Sequence, residues 1–160
     1  MRCMRIVLQL VLCVVPMLSP LVASAAPKPI DEAIPTLAFA DFYKRPIGAR
    51  GLEPSPRLLA SADSRVQLSG YVARGAEPQP GVAILAPVPV VLGDEDEGLA
   101  DDLPAAVAYL HWTEPDVAAA IAACAGAMRV TGRLELGRRS EADGRSSFVR
   151  LVADRVQCAR

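Results

Sequence analysis

The sequence is poor in aromatic residues and in the side chains most often used for catalysis. Phe, Tyr and Trp make up 4% of the 160 residues, and His111 is the only histidine. A single imidazole excludes any site built from several histidine ligands. The patterns CxxC, GxxxxGK[ST], GxGxxG and GxSxG are absent, so the sequence has no motif for thiol exchange, phosphate binding or an exposed nucleophilic serine. We therefore expect a protein that is not an enzyme and needs no cofactor.

The first 25 residues are typical of an export signal. Two arginines precede the apolar run IVLQLVLCVV, and the small residues 23–25, Ala-Ser-Ala, follow it at the position where a signal peptidase cleaves. The alternative is an uncleaved membrane anchor, but Pro16 and Pro20 interrupt the roughly 20 apolar residues that a spanning helix needs. The sequence predicts a signal peptide over residues 1–25 and export by the general secretory route to the periplasm or the medium. No membrane span is expected after cleavage.

The predicted mature chain lacks an excess of basic residues. Removal of Arg2 and Arg5 leaves 15 of the 17 Lys and Arg residues against 18 Asp and Glu, a net charge of −3. Nucleic acid is a poor partner for such a chain, because phosphate backbones are bound by clustered Lys and Arg. Cleavage leaves 135 of the 160 residues, enough for one hydrophobic core.

Two of the four cysteines lie beyond the signal. In an oxidising compartment, the simplest prediction is a disulfide between Cys124 and Cys158 that closes a loop of 35 residues. Such a loop corresponds to about 3 to 4 kcal/mol of stabilisation. The alternative is two independent buried thiols.

Residues 26–63 form a proline-rich N-terminal arm without sustained periodicity. The middle of this arm carries Phe39, Phe42 and Tyr43. Large aromatic rings bury much apolar area, so we expect them to pack the arm onto the body. The alternative is that the arm docks onto a partner.

Residues 64–160 are predicted to form one β domain with the order strand, strand, strand, helix, strand, strand. The five strands are expected in RVQLSGYV, GVAILAP, AAVAYLHW, AMRVTGRLEL and SSFVRLVADRV, with PVPVVLG as an irregular extension and GRRSEADG as a hairpin loop. The helix TEPDVAAAIAACAG is expected to be capped by Thr113 and to end at Gly126. This order predicts a small five-stranded OB-like barrel, with a small β-sandwich as the alternative.

The segment GDEDEGLADDLP contains six carboxylates and no basic residue. Carboxylate oxygens are ligands that calcium accepts, and Asp94, Asp96, Asp101 and Asp102 are the candidate metal ligands. The spacing is not that of an EF-hand, because the twelfth position is Ala105 rather than Glu. The alternative is a solvated loop without a bound ion.

Two further polar features lie in the β domain. A lone histidine beside Trp112 at the end of an apolar strand is typical of a hydrogen-bonded structural residue rather than a catalytic base. A basic cluster around the last hairpin could bind an anionic ligand, or its charges could be neutralised by neighbouring carboxylates. The arginines of this cluster are Arg133, Arg138, Arg139 and Arg145, and the carboxylates are Glu135, Glu141 and Asp143.

The segments RVQLSGYVAR, AILAPVPV, VTGRLELG and SSFVRLVADRV resemble an uncharacterised family of exported bacterial proteins classed as a domain of unknown function. The resemblance extends from Phe39 to the end of the chain. It implies an OB-like fold and export, and it brings no activity. Relatives can carry Cys and His near prolines after the second strand, whereas the corresponding residues here, VVLGDEDEGLADDLP, contain neither.

Together these patterns predict an exported, non-catalytic OB-like module. We expect it to bind a protein partner or an envelope component, with service as a transport accessory as one form of that role. The alternative is weak binding of a divalent cation, calcium, by the acidic loop 94–102.

Overall fold

The computed structural model describes residues 33–75, 79–92, 103–142 and 144–159. The predicted signal peptide and the acidic loop 94–102 lie outside these residues. Ala33–Arg160 forms one compact unit. Within the described residues, no helix has the length and apolar character needed to cross a membrane. The strands are β1 (Arg65–Val72), β2 (Val82–Ala86), β3 (Ala108–His111), β4 (Met128–Ser140) and β5 (Ser146–Cys158), and the helices are α1 (Pro56–Ala60) and α2 (Pro115–Ala123).

The five strands close into a barrel in the order β1-β2-β3-β5-β4. All neighbouring pairs are antiparallel except β3 and β5, which run parallel, and β4 closes the ring by pairing with β1. Helix α2 connects β3 to β4. This order and the position of the helix are those of an OB fold, so the predicted OB-like barrel is confirmed.

The core is built from strands in which apolar and more polar side chains alternate. In β1, Val66 and Leu68 are fully buried while Arg65, Gln67 and Ser69 are more exposed, as expected for a strand with one face toward the barrel interior. The apolar side chains that fill the interior are Leu85, Ala108, Leu110, Val117, Met128, Val130, Leu134, Val149, Leu151 and Ala153. Burial of each Leu or Val contributes roughly 1.5 to 3 kcal/mol, so a core with few aromatic residues is adequate for a chain of this size.

The N-terminal arm packs on this core through its aromatic residues. Phe39 and Phe42 are buried, with ring centroids 5.1 Å apart, and Tyr43 packs beside them. The packing interpretation of these aromatics is therefore confirmed. Backbone hydrogen bonds also join the arm to β1, since the Leu37 N–H donates to the Gln67 carbonyl at 2.9 Å.

Two local predictions need correction, and one short helix was not predicted. The hairpin between β4 and β5 is shorter than expected, because β4 continues through Ser140. Helix α2 begins after Glu114 rather than Thr113, with Pro115 in its first turn, and it ends at Ala123 rather than Gly126. The short helix α1 was not predicted; the Ser55 hydroxyl caps it by accepting a hydrogen bond from the Leu58 N–H at 3.0 Å.

Candidate functional site

The long β4–β5 pair forms a two-stranded ribbon, defined here as residues 136–142 and 144–148, at one end of the barrel. β4 pairs with β1 only as far as Arg133, and β5 pairs with β3 only from Arg150 onward. Between these points the two strands pair with each other, with a shift in register between Leu136 and Arg139. Gly137 lies in this shift at a φ of 115°, a conformation that glycine adopts at low cost.

A row of residues on the side of the sheet away from the core crosses it at the base of the ribbon, and all of them except Glu135 are buried. The register aligns Ile84 of β2, Tyr109 of β3, Arg150 of β5 and Glu135 of β4. These side chains lie on the opposite face from the core residues that alternate with them. The outer face of strands 2 and 3, with the β1–β2 and β4–β5 loops, is where OB folds bind their ligands. The ribbon that starts at this row therefore lies beside the usual binding face of this fold.

Arg150 is the central charged residue of this face and is 7% exposed. Its Nη1 donates to the Gly137 carbonyl at 2.6 Å and to the Ser147 hydroxyl at 3.2 Å. Its Nε lies 3.7 Å from Glu135 Oε2. Burial of a guanidinium is costly without such acceptors, so Arg150 fastens the start of the ribbon to the barrel.

Glu141 joins the far end of the ribbon to the same network. Its buried carboxylate accepts a hydrogen bond from the Ser147 hydroxyl and lies 3.3 Å from His111 Nε2. The loop that holds Glu141 is closed by its own backbone, because the Glu141 N–H donates to the Arg145 carbonyl at 2.9 Å. The expectation that His111 is a hydrogen-bonded structural residue is refined by this geometry. His111 contacts the carboxylate, but Nε2 makes no hydrogen bond of good geometry among the described residues.

The order of these groups is not that of a catalytic triad. In a serine hydrolase, the histidine lies between the serine and the carboxylate and removes the proton of the hydroxyl. Here Glu141 lies between Ser147 and His111, and the hydroxyl donates directly to the carboxylate. The arrangement holds the ribbon in place.

The exposed surface of the ribbon is basic. Arg133 pairs with Glu135 at 2.6 Å, so one arginine of the predicted cluster is neutralised. Glu141 was expected as a second neutralising partner, but it contacts His111 and Ser147 instead. Among the described residues, no carboxylate lies within ion-pair distance of the exposed Arg138 and Arg139.

An aromatic side chain accompanies these two charges. Phe148, on β5, is 38% exposed and lies opposite the register shift that contains Arg138. Asp143, the third carboxylate expected to neutralise the arginines, lies outside the described residues. Among its described residues, the ribbon thus presents two guanidinium groups without a carboxylate partner and one apolar ring. This combination is suited to recognition of a surface that carries both negative charge and apolar groups.

The other predicted site residues are distributed as follows. Cys124 and Cys158 lie at disulfide distance, with Cα atoms 5.4 Å apart, as the predicted disulfide requires. This pair joins the end of α2 to the end of β5.

The candidate metal ligands lie outside the described residues; they are Asp94, Asp96, Asp101 and Asp102. Within the described part of the chain, no group of three or more His, Cys, Asp or Glu side chains is placed to hold a metal ion.

Sequence reasoning missed the roles of Ser147 and Arg150. One signal was available, because Arg150 stands between Val149 and Leu151 in a strand that was correctly predicted. The alternation of β5 places Arg150 on the face away from the core, where an arginine is usually exposed to solvent. Its burial depends on contacts within the ribbon that the sequence pattern does not show.

Comparisons with known proteins identify no family. No protein-family model and no curated protein matches this sequence. Among solved structures, the chain is similar to a DUF3299 family protein from Pseudomonas aeruginosa, an uncharacterised domain family. The two are 12% identical, the match covers 80% of this chain and 97% of that chain, and the TM-score is 0.49.

Proposed function

We propose that this protein is an exported, non-catalytic OB-like module that binds a protein partner or another envelope component through the β4–β5 ribbon. The observation that carries the proposal is the exposure of Arg138, Arg139 and Phe148 on one ribbon beside the usual OB binding face. Service as an accessory to a transport system is one form of this function. The export signal in the sequence and the Cys124–Cys158 pair support an oxidising compartment.

The rigidity of the ribbon base supports a binding role. Arg150 and Glu141 hold the ribbon at its two ends, so its exposed arginines are presented in a fixed arrangement. A prearranged surface loses less conformational entropy on binding than a disordered one. The order of Ser147, Glu141 and His111 gives no support to catalysis.

Photo-crosslinking in intact cells tests the proposal. A photoreactive residue is placed at Arg138, Ser140 or Phe148 and, as a control, at Gln157, which is exposed on β5 outside the ribbon. We expect an adduct of one discrete mass from the ribbon positions and none from the control. Charge reversal of Arg139 to Glu should weaken that adduct. Adducts of equal yield from the ribbon and the control, or none from any ribbon position, would refute the proposal.

The second candidate function is weak calcium binding by the acidic loop 94–102. It depends on the sequence alone, through the density of carboxylates. Isothermal titration with calcium of the unaltered protein and of a variant with Asp94, Asp96, Asp101 and Asp102 changed to Asn separates the two functions. Heat of binding at millimolar calcium that disappears in the variant would support an ion site. Identical traces would remove this candidate and leave the crosslinking test unaffected.

A further inference from the structure

A small hairpin projects from the N-terminal arm between residues 44 and 53. The Lys44 N–H donates to the Glu53 carbonyl at 2.9 Å, and the Gly51 N–H donates to the Gly48 carbonyl at 3.0 Å. Gly51 has a φ of 78°, which permits the tight reversal at the tip. The chain therefore leaves the body, turns over residues 48–51 and returns.

The base of this 44–53 hairpin is fixed to the core on both sides. Phe42, which precedes it, and Leu58, which follows it, are both fully buried. The Ser55 N–H donates to the Phe42 carbonyl at 2.9 Å and closes the base. The tip is thus held by buried residues, although the tip itself lies on the surface.

Two aliphatic side chains flank the turn and face solvent. Ile47 is 62% exposed and Leu52 is 43% exposed, and they stand next to the paired glycines Gly48 and Gly51. Single exposed aliphatic residues are common on protein surfaces. Here two of them stand beside the same turn, on a projection anchored in the core, so the hairpin exposes an aliphatic pair.

The same hairpin is basic, although the whole chain has a net charge of −1. It carries Lys44, Arg45 and Arg50 against Glu53, a net charge of +2. Glu53 lies 3.0 Å from Lys44 Nζ and 2.5 Å from Arg50 Nε, so its charge is shared between two cations. The side chain of Arg50 is 85% exposed at the turn itself.

We propose that the 44–53 hairpin docks onto the surface of an anionic phospholipid bilayer, with Ile47 and Leu52 in the headgroup region and the cations beside lipid phosphates. The surface of such a bilayer offers an apolar boundary region for the aliphatic side chains and negative charge for the cations. Binding to it does not require shape complementarity. Residues 44–53 contain no aromatic side chain of the kind that anchors stable protein interfaces. This inference goes beyond the proposed function, because it uses another surface and does not depend on the ribbon.

Vesicle binding of the exported protein tests the docking. The protein is purified after export, and mass spectrometry verifies that residues 1–25 have been removed, so that the apolar signal cannot insert. Sedimentation with vesicles of phosphatidylglycerol and phosphatidylethanolamine is compared with sedimentation with phosphatidylcholine vesicles. We expect binding to the anionic vesicles only, weakening as salt is raised.

Two hairpin variants and two matched controls locate the contact. Ile47→Ser/Leu52→Ser and Arg45→Glu/Arg50→Glu should each weaken binding about tenfold or more. The controls are Val88→Ser/Val91→Ser, at residues 50% and 76% exposed elsewhere, and Arg129→Glu/Arg155→Glu, at exposed arginines of β4 and β5. They should change binding by less than about twofold, with unchanged circular dichroism in all four proteins.

Three results would overturn the docking proposal. The first is no binding of the unaltered protein to anionic vesicles. The second is equal loss of binding in the hairpin and control variants. The third is vesicle binding by the hairpin variants that equals that of the unaltered protein. None of them alters the outcome of crosslinking at the ribbon, so the two proposals fail separately.

Discussion

His111 Nε2 lies 3.3 Å from Glu141 Oε2, and this contact connects the end of β3 to the loop between β4 and β5. The side chain of Glu141 is 3% exposed and that of His111 is 18% exposed. The lone histidine of the chain therefore serves as a contact for a buried carboxylate. The position of the ribbon relative to the barrel depends on this contact and on the Arg150 hydrogen bonds at the other end.

Removal of the buried carboxylate should destabilise the protein. Glu141→Ala leaves the buried Ser147 hydroxyl without its acceptor and His111 without its neighbouring charge. We expect the free energy of unfolding to fall by about 1 to 3 kcal/mol in urea titrations. Glu114→Ala is the matched control, because Glu114 is exposed and its side chain makes no capping hydrogen bond; its effect should stay within about 0.5 kcal/mol. Equal effects of the two substitutions would contradict a structural role for Glu141.

The barrel could be predicted from the sequence because its determinants are local. Alternation in RVQLSGYV and AMRVTGRLEL places Val66 and Leu134 in the core, and the position of the helix between the third and fourth strands selects the OB order. The order of strands and helix identifies the fold even though the predicted ends of helix α2 differ from the observed ends by one to three residues.

The polar network could not be predicted, because it depends on contacts distant in sequence. His111 and Glu141 are 30 positions apart, and nothing in their local sequence indicates that they meet. The continuation of β4 through the charged run Gly137-Arg-Arg-Ser140 was missed for a related reason. Pairing with β5 outweighs the low strand propensity of that run, since strand propensity depends strongly on context.

Gly132 is required by a close approach between β4 and β5. A Cβ at this position would lie 2.2 Å from the Val152 carbonyl oxygen and 2.9 Å from the Ala153 Cα, and main-chain atoms cannot move aside cheaply. Gly132→Ala should therefore lower the free energy of unfolding by about 2 kcal/mol or more, measured by thermal and urea unfolding. Gly126→Ala is the control, because no atom lies within 4 Å of the added methyl group. A Gly132→Ala protein as stable as the control would show that the strands can separate at this point.

The bond between Cys124 and Cys158 should provide a large share of the stability. Loop entropy gives about 3 to 4 kcal/mol for a closure of this length, at a sequence separation of 34. We expect Cys124→Ser/Cys158→Ser to unfold at lower urea concentration than the oxidised protein, and to match the protein treated with reductant. Added reductant should leave the double variant unchanged, which serves as the control. No free thiol should be detected in the oxidised exported protein, and two reactive thiols per chain would contradict the assignment.

Tyr43 should make stability depend on alkaline pH. Burial raises the pKa of the Tyr43 hydroxyl above its ordinary value of 10.0, because a phenolate in the partly buried arm would be poorly solvated. Since the pKa is higher in the folded protein, the unfolded chain loses this proton first as the pH rises. The contribution of Tyr43 is therefore complete below pH 10 and is lost as the pH rises through the folded-state pKa. Urea unfolding of the unaltered protein and of Tyr43→Phe, compared on both sides of that pH, should give a smaller alkaline loss in the variant. Phe preserves the ring packing, so the difference between the two proteins isolates the hydroxyl, and parallel losses in both would refute the assignment.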